Sequence, residues 1–274
     1  MHTRTLKKLF LALTFWLALH TAALRATDLL GPYSNSAASF DVDANGLLSA
    51  TSVSEAGSLS LNGIGTRMFW FPGAAAFRAG YVGSTQWDSS NVGWGSVAFG
   101  NGTTASGWCS TVLGGYGSTA SNWISTAMGA STHATGAFST ASGAYSTASG
   151  AYSIVMGEGN LAYGNYSTAG GCNSSAWANF SAALGYNLQS SSYANFAVGS
   201  YNLGGSGGSS NTSWISTEPL FEVGNGNSTT RSDAVEVFKN GSMTVQGPIN
   251  AHSGLNCPQQ GDLSMGSFTA GTAP

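Results

Sequence analysis

Charge is the scarcest property of this sequence. Only 7% of its 274 residues are Asp, Glu, Lys or Arg, against about 25% in an average soluble domain. The net charge is −3, and no Lys/Arg cluster lies beyond the N-terminus, which excludes nucleic acid as an expected partner. Between Ser89 and Thr217 the only formally charged residue is Glu158, so the paired carboxylates of acid–base chemistry have no place there. Cysteine is equally sparse. Cys109, Cys172 and Cys257 are odd in number, which excludes a fully paired intrachain framework and suggests free buried thiols, with pairing between chains through Cys257 as the alternative. The turns lack the Asp residues of calcium-binding β-helix repeats, and dinucleotide and P-loop patterns are missing. Gly204–Gly208 matches a nucleophile elbow in letters alone, with no strand before it and no helix after it. His133 stands alone and reads as a solvated side chain. No catalytic, metal-binding or cofactor-binding residue is expected, and the chain reads as non-enzymatic.

What is present is glycine, 39 residues of it, and enough apolar character (42%) to bury a core. Arg4, Lys7 and Lys8 precede the apolar run Leu9–Leu19, and small residues follow at Ala22, Ala23 and Ala26. That order predicts a secretory signal peptide over 1–26, an uncleaved anchor being the alternative, and hence a secreted protein. No later run is apolar enough for a membrane helix.

From Ser96 to Tyr201 the chain repeats a unit of the form Ser-x-Ala-x-Gly-x-x. The glycine column runs through Gly100, Gly107 and Gly114, and after one extra residue resumes through Gly129, Gly136, Gly143 and Gly150 to Gly199. It is replaced at Asn122, Ala178 and Ser192. Two positions earlier lies an alanine column, and two before that a Ser/Thr column. A coiled coil needs large apolar residues and tolerates glycine badly; collagen needs glycine at every third residue. Alternation with small residues on one face predicts short strands joined by tight turns, with glycine expected to supply positive φ. The residue before each glycine alternates between two kinds, so the true period is fourteen. Each coil therefore has two unlike strands, and stacked coils make two parallel sheets around a narrow lumen filled by Ser, Ala and Gly.

That assignment points Phe99, Leu113, Met128, Met156, Leu184 and Val198 outward from one sheet. An apolar stripe of this kind is rarely left in water and is expected to be buried against copies of the same chain. The opposite sheet carries Thr104, Ser106, Thr119, Ser121, Thr147 and Ser149 on its outer face. Its later positions, Leu161, Tyr163 and Trp177, are expected to be covered by a terminal segment or to form a ligand surface. Tyr116, Phe138, Tyr145, Tyr152, Tyr166 and Phe180 fall in turns, where they either stack along the roll or form an adhesive face.

Stretches such as Gly95-Ser-Val-Ala-Phe-Gly100 and Ser139-Thr-Ala-Ser-Gly-Ala-Tyr-Ser-Thr-Ala-Ser-Gly150 resemble the YadA-like head repeat of trimeric autotransporter adhesins. The resemblance covers about residues 95–202. It implies a left-handed parallel β-roll, a homotrimer, a place on the bacterial cell surface outside the outer membrane, and adhesion to extracellular matrix, carbohydrate or another cell. The stalk heptads and C-terminal barrel strands of that family are not visible in this sequence.

The flanks complete an all-β organisation. Residues 27–94 predict a non-repetitive β cap around Phe69, Trp70, Phe71, Phe77, Tyr81, Trp87 and Trp94, with a carbohydrate platform as the alternative use of the same rings. Residues 95–203 form the roll and 204–217 a Gly/Ser linker. Residues 218–249 form a hairpin module around Asn225-Gly226 and Asn240-Gly241, similar to small β modules of bacterial and phage fibres. Its charges Glu218, Glu222, Arg231, Asp233, Glu236 and Lys239 are expected to keep edge strands soluble. Residues 250–274 read as a disordered tail. The expected function is a structural or adhesive surface protein whose weak contacts add by avidity. The alternatives are a solenoid that binds ice or a crystal surface through its Thr rows, and a fibre module without adhesion of its own.

Overall fold

The computed structural model describes residues 39–42, 48–51, 64–205 and 210–249. The expected signal peptide, the tail from 250, Cys257, most of 27–63 and the linker residues 206–209 lie outside the described residues.

The predicted all-β parallel roll is present. Long strands recur at Val97–Asn101, Thr111–Tyr116, Thr126–Ala130, Thr140–Ala144, Ile154–Glu158, Thr168–Cys172, Ala182–Tyr186 and Phe196–Ser200. Between them lie two-residue strands such as Thr119–Ala120, His133–Ala134 and Thr147–Ala148. The short strands stack in parallel into a 7-stranded sheet, and the long strands belong to a 13-stranded one. Successive long strands pair in register fourteen apart, as in Ala127↔Ala141 and Ala141↔Val155. The extra residue after Gly114 is absorbed as a local register shift between Leu113 and Gly115.

The core is a column of methyl groups. Ala98, Ala105, Ala120, Ala127, Ala134, Ala141, Ala148 and their successors are fully buried between the sheets, joined by Val112, Val155 and Leu188. The neighbouring Ser/Thr column is buried too, and many of its hydroxyls bond to backbone carbonyls, while those of Thr103, Ser153 and Ser167 have no partner. Ser139 Oγ donates to Gly136 O at 2.7 Å within its own turn, whereas Ser118 Oγ reaches Gly129 O of the next coil at 2.7 Å. Asn160 replaces serine and donates to Met156 O and Gly171 O at 2.9 and 2.8 Å.

Positive φ, the expected cause of the glycine column, holds in the long-strand half of the coil, as at Gly129 (114°) and Gly157 (110°), and not in the other half. The positive φ of the turns is carried largely by the residue two after the glycine, for example Ser131 at 51°, Phe138 at 58° and Tyr152 at 59°. Gly136 has no positive φ, but a Cβ there would lie 2.0 Å from Gly150 O. Gly143 combines φ 111° with a Cβ position 2.0 Å from Gly157 O. Close approach of one coil to the next favours glycine in both halves of the coil, with Asn122, Ala178 and Ser192 as exceptions after short strands.

The 13-stranded sheet continues past the repeats at both ends. At the N-terminal end Gly65–Phe71 pairs antiparallel with Ala76–Val82, which pairs parallel with Val97–Asn101. At the C-terminal end Phe196–Ser200 pairs parallel with Pro219–Asn225, and a meander follows through Asp233–Phe238 and Met243–Val245. The segment after residue 209 folds back on the roll, where Asn211 O accepts from Asn179 N and Ser210 O from Tyr193 N, both at 2.8 Å. Among the described residues no helix is long and apolar enough to cross a membrane.

Candidate functional site

Four surfaces of the roll carry the candidate residues, and each follows from the strand period. On the outer face of the long sheet, Leu113, Met128, Ser142, Met156, Gly170, Leu184 and Val198 stand in one unbroken register. Leu113, Met156 and Leu184 are 47%, 51% and 38% exposed, while Phe99, Met128 and Val198 are half-buried. Phe77 meets the Phe99 ring edge-to-face at 5.7 Å, so the first cap contributes to this stripe. A second row was missed. Two residues earlier in each strand, Thr126, Thr140, Ile154, Thr168, Ala182 and Phe196 share the same face, and Ile154 and Phe196 are exposed. Strand period two makes this row follow directly from the first.

The turn aromatics divide between opposite edges. Phe138, Tyr152, Tyr166 and Phe180 occupy the turn after each short strand and stack face to face, with centroids 4.8, 4.9 and 5.0 Å apart and planes within 3° of parallel. Their faces are spent on one another, so only ring edges and phenol groups reach solvent. Tyr193 continues the line edge-to-face at 5.5 Å. Tyr116 and Tyr145 lie on the other edge, beside the turn before the short strand. Trp94, Trp108 and Trp123 extend the first edge toward the N-terminus in T-shaped pairs at 5.6 and 4.6 Å. They were not expected there, although their spacing of fourteen, then fifteen across the extra residue, is visible in the sequence.

The short sheet places Thr104, Thr119, His133 and Thr147 in one outward row, which continues as Leu161, Ser175 and Gln189. Tyr163 and Trp177 stack at 4.5 Å and are each 43% exposed. The terminal segment expected over them is absent among the described residues.

The fourth surface is the pair of lumen ends, which the sequence reading missed. Arg78 sits opposite Ala98 in the alanine column and is fully buried. Its Nη1 donates to Phe77 O and Ser96 O, and its Nη2 to Ser96 Oγ and Ala105 O, at 2.7 to 2.9 Å. Burial lowers its pKa to about 10, so it stays charged at neutral pH. Trp87, also buried, donates Nε1 to Thr103 O at 2.9 Å. At the other end Glu222 sits opposite Ala197, fully buried. It accepts from Asn195 Nδ2 at 2.7 Å and Gly204 N at 3.2 Å. Asp233 and Glu236 face it, with carboxylate oxygens of the three within 4.8 Å of one another. Burial raises Glu222 to about 7 against the donors Asn195 and Gly204, and raises Asp233 and Glu236 as well. These oxygens already take Asn195, Gly204 and Leu203 N–H groups, and burial beside like charges favours their protonated forms. Glu218 and Lys239 form a buried ion pair at 3.0 Å. The hairpin charges expected in solvent are in large part internal, because this meander closes the lumen.

Residues 125–146 and 148–171 match the family model of the YadA head domain repeat. The roll carries YadA head repeats. The two matched copies lie in the middle of the stack, and the same columns run on through the coils on either side. The YadA head is a structural adhesin domain and not an enzyme family. No curated protein and no solved structure matches the chain.

Proposed function

We propose that the chain is a non-enzymatic, adhesin-like head that works outside the bacterial cell as a homotrimer. The observation that carries this reading is the unpartnered outer row of Leu113, Met128, Met156, Leu184 and Val198, flanked by Phe99 and by the second row of Ile154 and Phe196, on a roll built of YadA head repeats. Three such faces packed around an axis remove the stripe from water. Each fully buried large aliphatic side chain then contributes about 1.5–3 kcal/mol. The surfaces left outward are the short sheet and the aromatic edges, repeated threefold, so partner contacts of low individual strength would add by avidity. Extracellular matrix, a glycan or another cell surface are the partner classes that such a neutral, repetitive face suits. The test is light scattering on the purified protein. A mass three times the 27.8 kDa chain supports the reading, and its reduction to one chain in Leu184→Asp places the contact on the stripe. A monodisperse wild-type monomer refutes it.

A further inference from the structure

We propose that the C-terminal closure of the roll is a proton-operated latch: with Glu222 protonated the meander Pro219–Val245 seals the lumen, and with Glu222 ionised it loosens from the last coil. The inference does not depend on the adhesin reading. Its basis is placement. Glu222 occupies the position held in the preceding long strands by Ala169, Ala183 and Ala197, opposite Ala197 itself. Its carboxyl lies within 4.8 Å of that of Asp233, which is also buried and accepts from Leu203 N. Glu236 is the third carboxyl of the group. Two carboxylates are acceptors only, so at this separation Glu222 and Asp233 can bond directly only when one of them carries a proton.

The surrounding charges do not relieve the cluster. From the strand Asp233–Phe238 the facing groups are Asp233 and Glu236, both acidic. The last coil offers Asn195, and the chain after it Gly204 N, both uncharged. Arg231 turns its Nη1 to Asn187 O and Asn202 O, at 2.9 and 3.0 Å. Lys239 is held by Glu218 and lies over the Trp214 ring at 5.5 Å. Among the described residues no basic side chain bonds to Glu222, Asp233 or Glu236. Ionising all three therefore sets like charges against one another in a site of low polarity, a situation that proteins relieve by retaining protons or by opening. The rise of Glu222 to about 7 places the change within a pH range that natural waters and hosts span. Opening is confined to this end, because Arg78 at the other end is a base that stays charged, with both Nη atoms bonded, across the same range.

The experiment is hydrogen–deuterium exchange on the full chain in EDTA at pH 5.5 and 8.5, with intrinsic rates corrected for pH. Protection over residues 219–245 falls at least roughly tenfold at the higher pH, one pKa unit being a tenfold change, while residues 125–171 keep theirs. In Glu222→Gln the amide mimics the protonated acid, and the pH step disappears. Asp233→Asn keeps Glu222 but removes the nearest like charge, so the step shrinks. A wild-type chain equally protected at both pH values overturns the latch. So does a step that persists unchanged in Glu222→Gln, or in Asp233→Asn where the first variant does not fold.

Discussion

The two ends of the lumen are closed at one and the same column position by opposite means. Arg78 lies opposite Ala98, and Glu222 lies opposite Ala197. The arginine offers five donors, and the stack that it plugs presents carbonyl oxygens and a serine hydroxyl, so four contacts form without any carboxylate. The glutamate offers only acceptors when ionised, and it shares its layer with two further acids. One end therefore keeps its charge and its four bonds through neutral pH, with Arg78 Nε alone unpartnered, and the other is favoured by a proton. A buried charge is defined less by its sign than by what the adjacent coil has left to give.

The comparison is broken most severely at the arginine. Arg78→Ala leaves a void and several unpaired carbonyls and is expected to cost about 3–5 kcal/mol in denaturant unfolding; a loss below about 1 kcal/mol would show that the N-terminal plug is incidental. Next comes the pH response of the acid end. Glu222 is raised in the folded chain from its ordinary 4.5 to about 7, so its contribution is complete below about pH 4.5 and is lost as pH climbs through 7. Raising the pH from 5 to 8.5 should remove about 2 kcal/mol from the wild type and far less from Glu222→Gln. The same titration of Arg78→Lys should show the wild-type slope at a stability lower by roughly 1–2 kcal/mol, since an ammonium cannot reproduce the planar fork. The smallest effect is expected from Asn202→Ala. Asn202 accepts from Gln189 N and donates to Gln189 O, both at 2.8 Å, and so ends the short sheet as a strand would. Its loss should cost about 1 kcal/mol and show first as exchange of the Gln189 amide.

The middle of the roll was legible because its rule is local. Ser, Ala and Gly at fixed spacing state which side chains fit a narrow lumen, and the outward row of Phe99 to Val198 follows from strand alternation. The ends were harder because they keep the rule while changing the residue. Phe77-Arg78-Ala79-Gly80 copies the frame of Val97-Ala98-Phe99-Gly100, and Phe221-Glu222-Val223-Gly224 copies Phe196-Ala197-Val198-Gly199. A charged residue in an alanine slot, two before a glycine, was the available signal; read as part of a hairpin, Glu222 looked like a surface charge. The second function of glycine was likewise hidden, since a backbone approach that leaves no room for a Cβ leaves no mark in the sequence distinct from that of a turn. The aromatic edges lay between these cases. Their spacing was visible, but the sorting of Tyr116 and Tyr145 away from the Phe138–Phe180 ladder depends on which half of the coil each turn ends.

The fourteen-residue frame also sets how such a chain can vary in length over evolutionary time. Duplication of a whole coil adds one layer, about 4.8 Å of rod, and leaves every column, stripe and ladder aligned with its neighbours. Duplication of seven residues would keep the Ser, Ala and Gly columns but exchange the two edges and the two outer faces, scattering the stripe onto both sides. A single added residue is accommodated after Leu113, where two glycines let it bulge. The rod can thus be lengthened in discrete steps that preserve its lateral contacts, and the two unlike plugs would travel outward with its ends.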